Sequence, residues 1–285
     1  QKQYEENPYP RWINTRFEPK PLTIAQLLSK LEFQLDTELN HFSENPQILV
    51  AGCGTGQHSL LTATRFKNSQ VTAIDLSLSS LSYAMRKTRE YGVTNIDYIQ
   101  ADILDLELLG KQFDIVESVG VLHHMKDPLL GWKVLEGCLK PGGLMKIGLY
   151  GEVSRKHIVK ARDIISNLNI GTSHKEMVRF REHIKRSTDP TLILLKREID
   201  FYSTSTYRDL VFHVQEHRFT APELYRCFNT LDLTFIGFEY PTLEEKKRNQ
   251  ALYPNWGRGA NCGLSDELDF PKHIFWLQKS LSSEL

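Results

Sequence analysis

The sequence predicts a doubly wound α/β domain built on a mostly parallel sheet, and three observations carry that expectation. From Gln47 onward, short β-rich runs alternate with helical stretches in the rhythm of βαβ units. The first run, Ile48-Leu49-Val50-Ala51, passes straight into the glycine turn Gly52-Cys53-Gly54-Thr55-Gly56 and then into a helical stretch. The second and third runs end at acidic residues, Asp75 and Asp102, so glycines and carboxylates gather at the carboxyl ends of neighbouring strands, where open α/β sheets bind ligands.

The elements follow in order. Residues 1–20 carry Tyr4, Pro8, Tyr9, Pro10, Trp12 and Phe17, too aromatic for a solvated tail, and are expected to fold back on the domain. Thr23 with Gln26 forms a capping box ahead of Leu27, Leu28, Leu31 and Leu35 at helical spacing. Strands are expected at 48–51, 71–75, 96–100, 113–118 and 144–150. One helix starts near Ser77 and stops at Gly92; another starts at Asp127 with Pro128 in its first turn and breaks at Pro141-Gly142-Gly143. After Gly151 the rhythm lapses into a helical insertion with an apolar stripe of Ile158, Val159, Ile164, Ile165 and Leu168. Its mild surplus of Lys and Arg is what a solvated helical face carries. Thr220 with Glu223 forms a second capping box, followed by a helix, a strand at 233–238, a polar loop and a last strand at 273–278. The expected division is a capping segment over 1–45, a cofactor-binding core over 46–150, a helical insertion or substrate lid over 151–219, and completion of the sheet over 220–285, all in one compact domain.

Composition bounds the function. A chain of 285 residues, 40% hydrophobic and 25% charged, can bury a substantial core. Thirty-five basic against 35 acidic side chains leave no net field to hold a polyanion, which argues against nucleic-acid binding. Cys53, Cys138, Cys227 and Cys262 are scattered without a CxxC pair and are expected to be free thiols. No apolar run approaches the roughly 20 residues of a membrane span, and no signal-peptide pattern opens the chain, so a cytoplasmic location without membrane contact is expected. The chain opens on Gln1 rather than methionine, which predicts a piece of something longer.

The glycine turn lets backbone approach a ligand closely and aims helix N-terminal amides at a carboxylate. Asp75 stands where an acid accepts hydrogen bonds from both ribose hydroxyls, and Asp102 where one can accept from an adenine amino group. With these residues and Val119-Gly120-Val121-Leu122-His123-His124 after the fourth strand, the chain resembles the class I S-adenosylmethionine-dependent methyltransferases from about residue 46 to 150 and over the last two strands. The resemblance implies a seven-stranded sheet with an antiparallel last strand and S-adenosyl-L-methionine as cofactor. It puts Gly52, Gly54 and Gly56 at the methionine end, Asp75 at the ribose, and Asp102 with Ile103 at the adenine; Ala51, Cys53, Leu76, Ala101, Ser118 and Gly120 complete the expected contacts. The opening Gln3-Tyr4-Glu5-Glu6-Asn7-Pro8-Tyr9-Pro10-Arg11-Trp12 resembles the start of methyltransferase modules that follow helical repeats in longer bacterial chains. Gln57 stands where a dinucleotide-binding GxGxxG would place its third glycine, which sets an NAD-dependent enzyme behind a methyltransferase.

Methyl transfer needs chiefly an aligned acceptor, nitrogen or oxygen, on a small molecule, peptide or protein, with a base to take its proton. His123 and His124, past the fourth strand, are candidates for that base. The insertion ends in Tyr207-Arg208-Asp209-Leu210-Val211-Phe212-His213-Val214-Gln215-Glu216-His217, where a helix would put His213 and His217 on one face. This matches H-x-x-E-H, but no further zinc ligand is identified, so no metal is expected and Tyr207, His213, Glu216 and His217 become acceptor-site candidates. No Asn-Pro-Pro-aromatic tetrapeptide follows the fourth strand. Two other classes stay open: a non-catalytic nucleoside-binding interaction module using Tyr9 and Trp12 as anchors, and an aminopropyl-transferring enzyme.

Overall fold

The Val- and Ile-rich runs form strands because both faces of each are covered. In the computed structural model, which describes residues 2–17, 20–33, 35, 42–240, 242, 244–247 and 273–281, they are β1 (Gln47–Ala51), β2 (Gln70–Asp75), β3 (Ile96–Gln100), β4 (Phe113–Val119), β5 (Leu139–Leu149), β6 (Leu233–Phe238) and β7 (His273–Lys279). The sheet order is β3-β2-β1-β4-β5-β7-β6. Pairs from β3 through β5 are parallel, whereas β7 runs antiparallel to both β5 and β6. The chain therefore reverses its direction of travel across the sheet between β1 and β4, which opens a crevice at their carboxyl ends.

Strand parity divides the core. Leu49 and Ala51 of β1 pack with Trp132, Met145, Phe228 and Phe275 on one face. Ile48 and Val50 pack with Leu28, Phe66, Leu81 and Trp276 on the other. Flanking helices are α2 (Ile24–Leu31), α3 (Gln57–Arg65), α4 (Leu78–Glu90), α5 (Pro128–Gly137) and α10 (Ala221–Thr230). Both expected capping boxes form, Thr23 with Gln26 on α2 and Thr220 with Glu223 on α10.

The break expected at Pro141-Gly142-Gly143 lies inside β5, which begins at Leu139 rather than 144. The strand starts early because the Phe113 amide bonds the Cys138 carbonyl, and an irregular register between Phe113 and Ile115 absorbs the turn-like residues.

Between β5 and β6 lie α6 (Lys156–Asn167), α7 (His174–Arg186), α8 (Pro190–Leu194) and α9 (Thr204–Phe212). They bury a core of their own around Ile158, Phe180, Ile184, Phe201 and Leu210. The expected stripe fails at Leu168, which is exposed at the C-cap of α6.

The expected helical face joining His213 and His217 does not exist, since α9 ends at Phe212. The following backbone spends its hydrogen bonds on the sheet's crevice edge instead: the His217 amide donates to the His123 carbonyl and the Phe219 amide to Tyr150.

The aromatic opening segment folds back as expected. Its short helix α1 (Lys2–Glu6) presents Glu5 to the first turn of α4, where the carboxylate accepts from the Leu78 and Ser79 amides at 2.8 and 3.1 Å. Trp12 is buried with its indole N–H on Thr55, and the Thr55 amide donates to the Tyr9 carbonyl. Cys53, Cys138 and Cys227 are free thiols, whereas Cys262 and most of the polar loop before β7 lie outside the described residues. Among the described residues no helix is long and apolar enough to cross a membrane.

Candidate active site

A cavity of about 520 Å³ occupies the crevice. One end is built by strand termini. Gly52, Cys53 and Gly54 line it from the first turn, Asp75 and Leu76 from β2, Ala101, Asp102 and Ile103 from β3, and Gly120 from β4. Gly54 has φ +52°, and a β-carbon there would collide with the Tyr9 carbonyl oxygen, so only glycine lets the opening segment lie on this turn. Ala51, Gly56 and Ser118 do not reach the cavity: Ala51 and Ser118 are buried in their strands, and Gly56 caps α3 against Ala84.

Asp75 accepts from the Gly54 amide on one oxygen, at 2.8 Å, and from the Ser77 amide on the other, at 2.9 Å. Each oxygen keeps a second lone pair, which is the capacity a ribose diol requires. Burial pushes the Asp75 carboxyl up, against the pull of these two amides. Asp102 accepts from the Leu104 amide at 3.0 Å and so ties the start of the following turn to the cavity rim.

The opposite end joins elements distant in sequence. Asp209 on α9 is buried, accepts from the Tyr4 hydroxyl at 2.9 Å, and has its carboxyl pushed up to about 6, chiefly by burial. The same hydroxyl lies 3.1 Å from His213 Nε2, while His213 Nδ1 accepts from the Gln215 amide. That contact assigns the neutral His213 proton to Nε2, so the chain runs from His213 through Tyr4 to Asp209. His124 Nδ1 lies 2.8 Å from the Gln215 carbonyl, which can only accept, so Nδ1 carries the proton. Burial holds both imidazoles low, His124 to about 3 and His213 to about 4, and both are neutral at pH 7. Tyr9 and Tyr150 complete this wall.

His124, Asp209 and His213 offer donor atoms within 4.8 Å of one another, the spread of a loose cation site. Their geometry is that of a hydrogen-bond chain. The two imidazoles stack 3.6 Å apart at 25°, which keeps their in-plane lone pairs from converging on one ion, and Tyr4 already bridges the other two groups.

Of the acceptor-site candidates, the structure brings only His124 and His213 to the cavity. His123 is buried beneath it against Tyr150, and His217 turns its ring to Gln215. Tyr207 sits in the insertion's core. The Glu216 carboxylate is fully buried and bonded to Arg155 at 2.5 Å, with Arg162 and Arg218 nearby, so it ties the insertion together. Tyr4 and Tyr9 line the cavity, Tyr9 being expected from sequence only as an anchor of a binding module, and so do Tyr150, Asp209 and His58, which the sequence does not single out. Aromatic density in the opening segment was the available signal for the first two.

A glycine turn beneath a ligand crevice, a carboxylate with diol capacity on β2 and a second acid on β3 define a nucleoside-binding α/β domain. Residues 48–143 match the family described as a methyltransferase domain. An uncharacterized protein of Synechococcus sp. is 32% identical over 201 residues, covering 68% of this chain and 48% of that relative. A probable (S)-tetrahydroprotoberberine N-methyltransferase of Papaver bracteatum is 28% identical over 46% of this chain and 36% of its own length. Matched relatives include both N- and O-methyltransferases, and this chain spans about half or less of the length of the first two. The structure of PKMT2 from Rickettsia typhi in complex with AdoHcy superposes with TM-score 0.64 at 18% identity over 96% of this chain and 55% of that one, a likeness of fold. Residues 48–143 are thus a methyltransferase domain, and the sheet they build has the Rossmann-like methyltransferase fold.

Proposed function

We propose that this chain transfers a methyl group from S-adenosylmethionine to an amine nitrogen, with Asp209 receiving the amine's proton. The observation that carries the acceptor class is the buried Asp209 carboxylate on a wall of tyrosines, Tyr4, Tyr9 and Tyr150. Aromatic faces and a carboxylate together favour a cation, and an alkylamine arrives as one. The cofactor fits the other end: Asp75 would take the ribose hydroxyls, Asp102 the adenine amino group, Ala101, Leu76 and Ile103 the sides of the base, and the turn at Gly52–Gly54 the amino-acid tail. When bound, the cofactor supplies a methyl group made electrophilic by its sulfonium.

The residues do the rest. An ammonium has no lone pair for in-line attack until its proton leaves, and a carboxyl titrating near 6 is ionised at neutral pH yet a better base than an ordinary aspartate. Tyr4 holds Asp209 in place, and neutral His213 holds Tyr4. An oxygen acceptor would be served less well, because the histidines that face the cavity are held far below neutrality and bind a proton weakly. The opening segment roofs the cavity and limits water.

Calorimetric titration with S-adenosylhomocysteine tests the cofactor half, and transfer of labelled methyl from S-adenosylmethionine to matched panels of amines and alcohols tests the acceptor half. The expected result is binding, and label in amines that Asp209→Asn removes. Label in alcohols, unaffected by Asp209→Asn, would contradict the amine assignment.

A further inference from the structure

Behind the acceptor end of the cavity, three guanidinium groups share one buried carboxylate. Arg155, at the start of α6, and Arg162, two turns further along the same face, meet Glu216 together with Arg218. Arg155 takes both oxygens of Glu216, Nε on Oε1 at 3.3 Å and Nη2 on Oε2 at 2.5 Å. Arg218 donates to Glu152 at 2.9 Å. Arg162 is left 3.9 Å from Oε2 of Glu216, beyond hydrogen-bond reach, and its buried Nη1 has no partner among the described residues. Arg181 and Arg208 also leave a nitrogen unpaired, yet each places another, Arg181 on the Tyr202 carbonyl and Arg208 on Glu6. Arg162 makes no such bond among the described residues.

A guanidinium offers five donors, and leaving them unmet in a covered site costs free energy that an anion would offset. Burial, with the charges of Arg155 and Arg218, pulls the Arg162 pKa down against Glu216 and the exposed Asp163. The surroundings therefore favour one more negative group. Access exists, since 23% of the Arg162 side chain is open against 10% for Arg155.

The cluster stands one layer behind the cavity wall. Gln215, the neighbour of Glu216 in the chain, holds His124 through its carbonyl, and the Arg155 guanidinium lies 3.9 Å from the centre of the Tyr150 ring. His124 and Tyr150 both line the cavity. Val214 lines it too and is 83% exposed, so the cavity reaches the surface beside this segment.

Resting on the amine reading above, we infer that Arg162 binds an anionic group, a carboxylate or a phosphate, carried by the same acceptor whose amine enters the cavity. The planar fork of arginine meets either oxyanion with two parallel N–H bonds. The purely structural alternative is that Arg162 neutralises Glu216, a role Arg155 already fills.

The test compares straight-chain amines of matched length that end in a carboxylate, a phosphate or a hydroxyl, with labelled S-adenosylmethionine as donor. KM and kcat are measured on the wild-type chain, Arg162→Gln and Arg162→Met, and S-adenosylhomocysteine affinity shows that each variant is folded. Both substitutions remove the charge, so one folded variant suffices. The expected result on the wild-type chain is a KM about 10-fold or more lower for an anionic end than for the hydroxyl, and the better anion separates carboxylate from phosphate. Either variant should raise the KM of the anionic amine to that of the hydroxyl amine, with kcat and the hydroxyl amine changed by less than about 2-fold. Equal KM values for all three ends in the wild-type chain would overturn the inference and leave the amine reading standing. So would a variant that raises KM alike for all ends, or one that keeps the preference. Label in none of the amines would overturn both.

Discussion

The two ends of the cavity are built by opposite means. At the glycine-turn end, Gly52–Gly54, Asp75 and Asp102 each stand at the end of a strand, and their own local backbone places them. At the opposite end Tyr4, His124, Tyr150 and Asp209 come from the opening helix, the turn after β4, the end of β5 and the last helix of the insertion. The first end is a property of a sheet edge. The second exists only while the opening segment and the insertion close over that edge, held by Tyr4 on Asp209 and by Glu5 on α4. A site divided in this way can keep its donor and change its acceptor without disturbing the sheet.

The sharpest way to break the comparison is a change that silences one end alone. Asp209→Asn keeps the shape of the side chain and removes the proton acceptor; turnover should fall about 100- to 1000-fold while S-adenosylhomocysteine affinity stays within about 3-fold. A parallel collapse of affinity would mean that the two ends are one unit. The mirror-image change, Asp75→Ala, removes the diol acceptor and should weaken S-adenosylhomocysteine about 100-fold by calorimetry, two hydrogen bonds to a charged group being lost.

A third change tests the roof. Glu216→Gln leaves Arg155 buried without its counter-charge and should destabilise the chain by about 3 kcal/mol in urea unfolding, with a smaller effect on cofactor affinity than Asp75→Ala. If stability is unchanged, the insertion is not held through this ion pair.

The smallest effects concern pH. Asp209 must be ionised to receive a proton, so kcat/KM is expected to rise as pH passes upward through about 6, the value to which burial lifts this carboxyl. His124 and His213 are already neutral there and add no limb. The Tyr4 hydrogen bond lowers the Asp209 pKa, so Tyr4→Phe should move the rising limb to higher pH and reduce activity only about 10-fold near pH 8. A limb that stays in place would separate Tyr4 from Asp209.

The contrast also accounts for what could be read in advance. The glycine turn and both acids announce themselves because strand, turn and carboxylate lie within a few residues of one another, and period-2 patterning leaves little choice of register. The segment from His213 to His217 misled for the same reason in reverse. Its spacing is helical, but the His217 amide finds the His123 carbonyl across the crevice, and that long-range bond decides its conformation. Glu216 and Tyr207 carry plausible chemistry, yet one is neutralised by Arg155 and the other enclosed by Phe201 and Phe212.

By itself the sequence determined the βαβ order, the capping boxes at Thr23 and Thr220, and the gathering of the glycine turn with Asp75 and Asp102 at neighbouring strand ends, because each depends on hydrogen bonds and side-chain periodicity within a short stretch. Only the tertiary structure decided that Asp209 rather than Glu216 lines the cavity, that Tyr4 reaches Asp209, and that His58 meets Glu117. Those pairings join residues separated by 205 and 59 positions, and which of many polar side chains is buried beside which follows from packing three separate cores together, not from any local pattern.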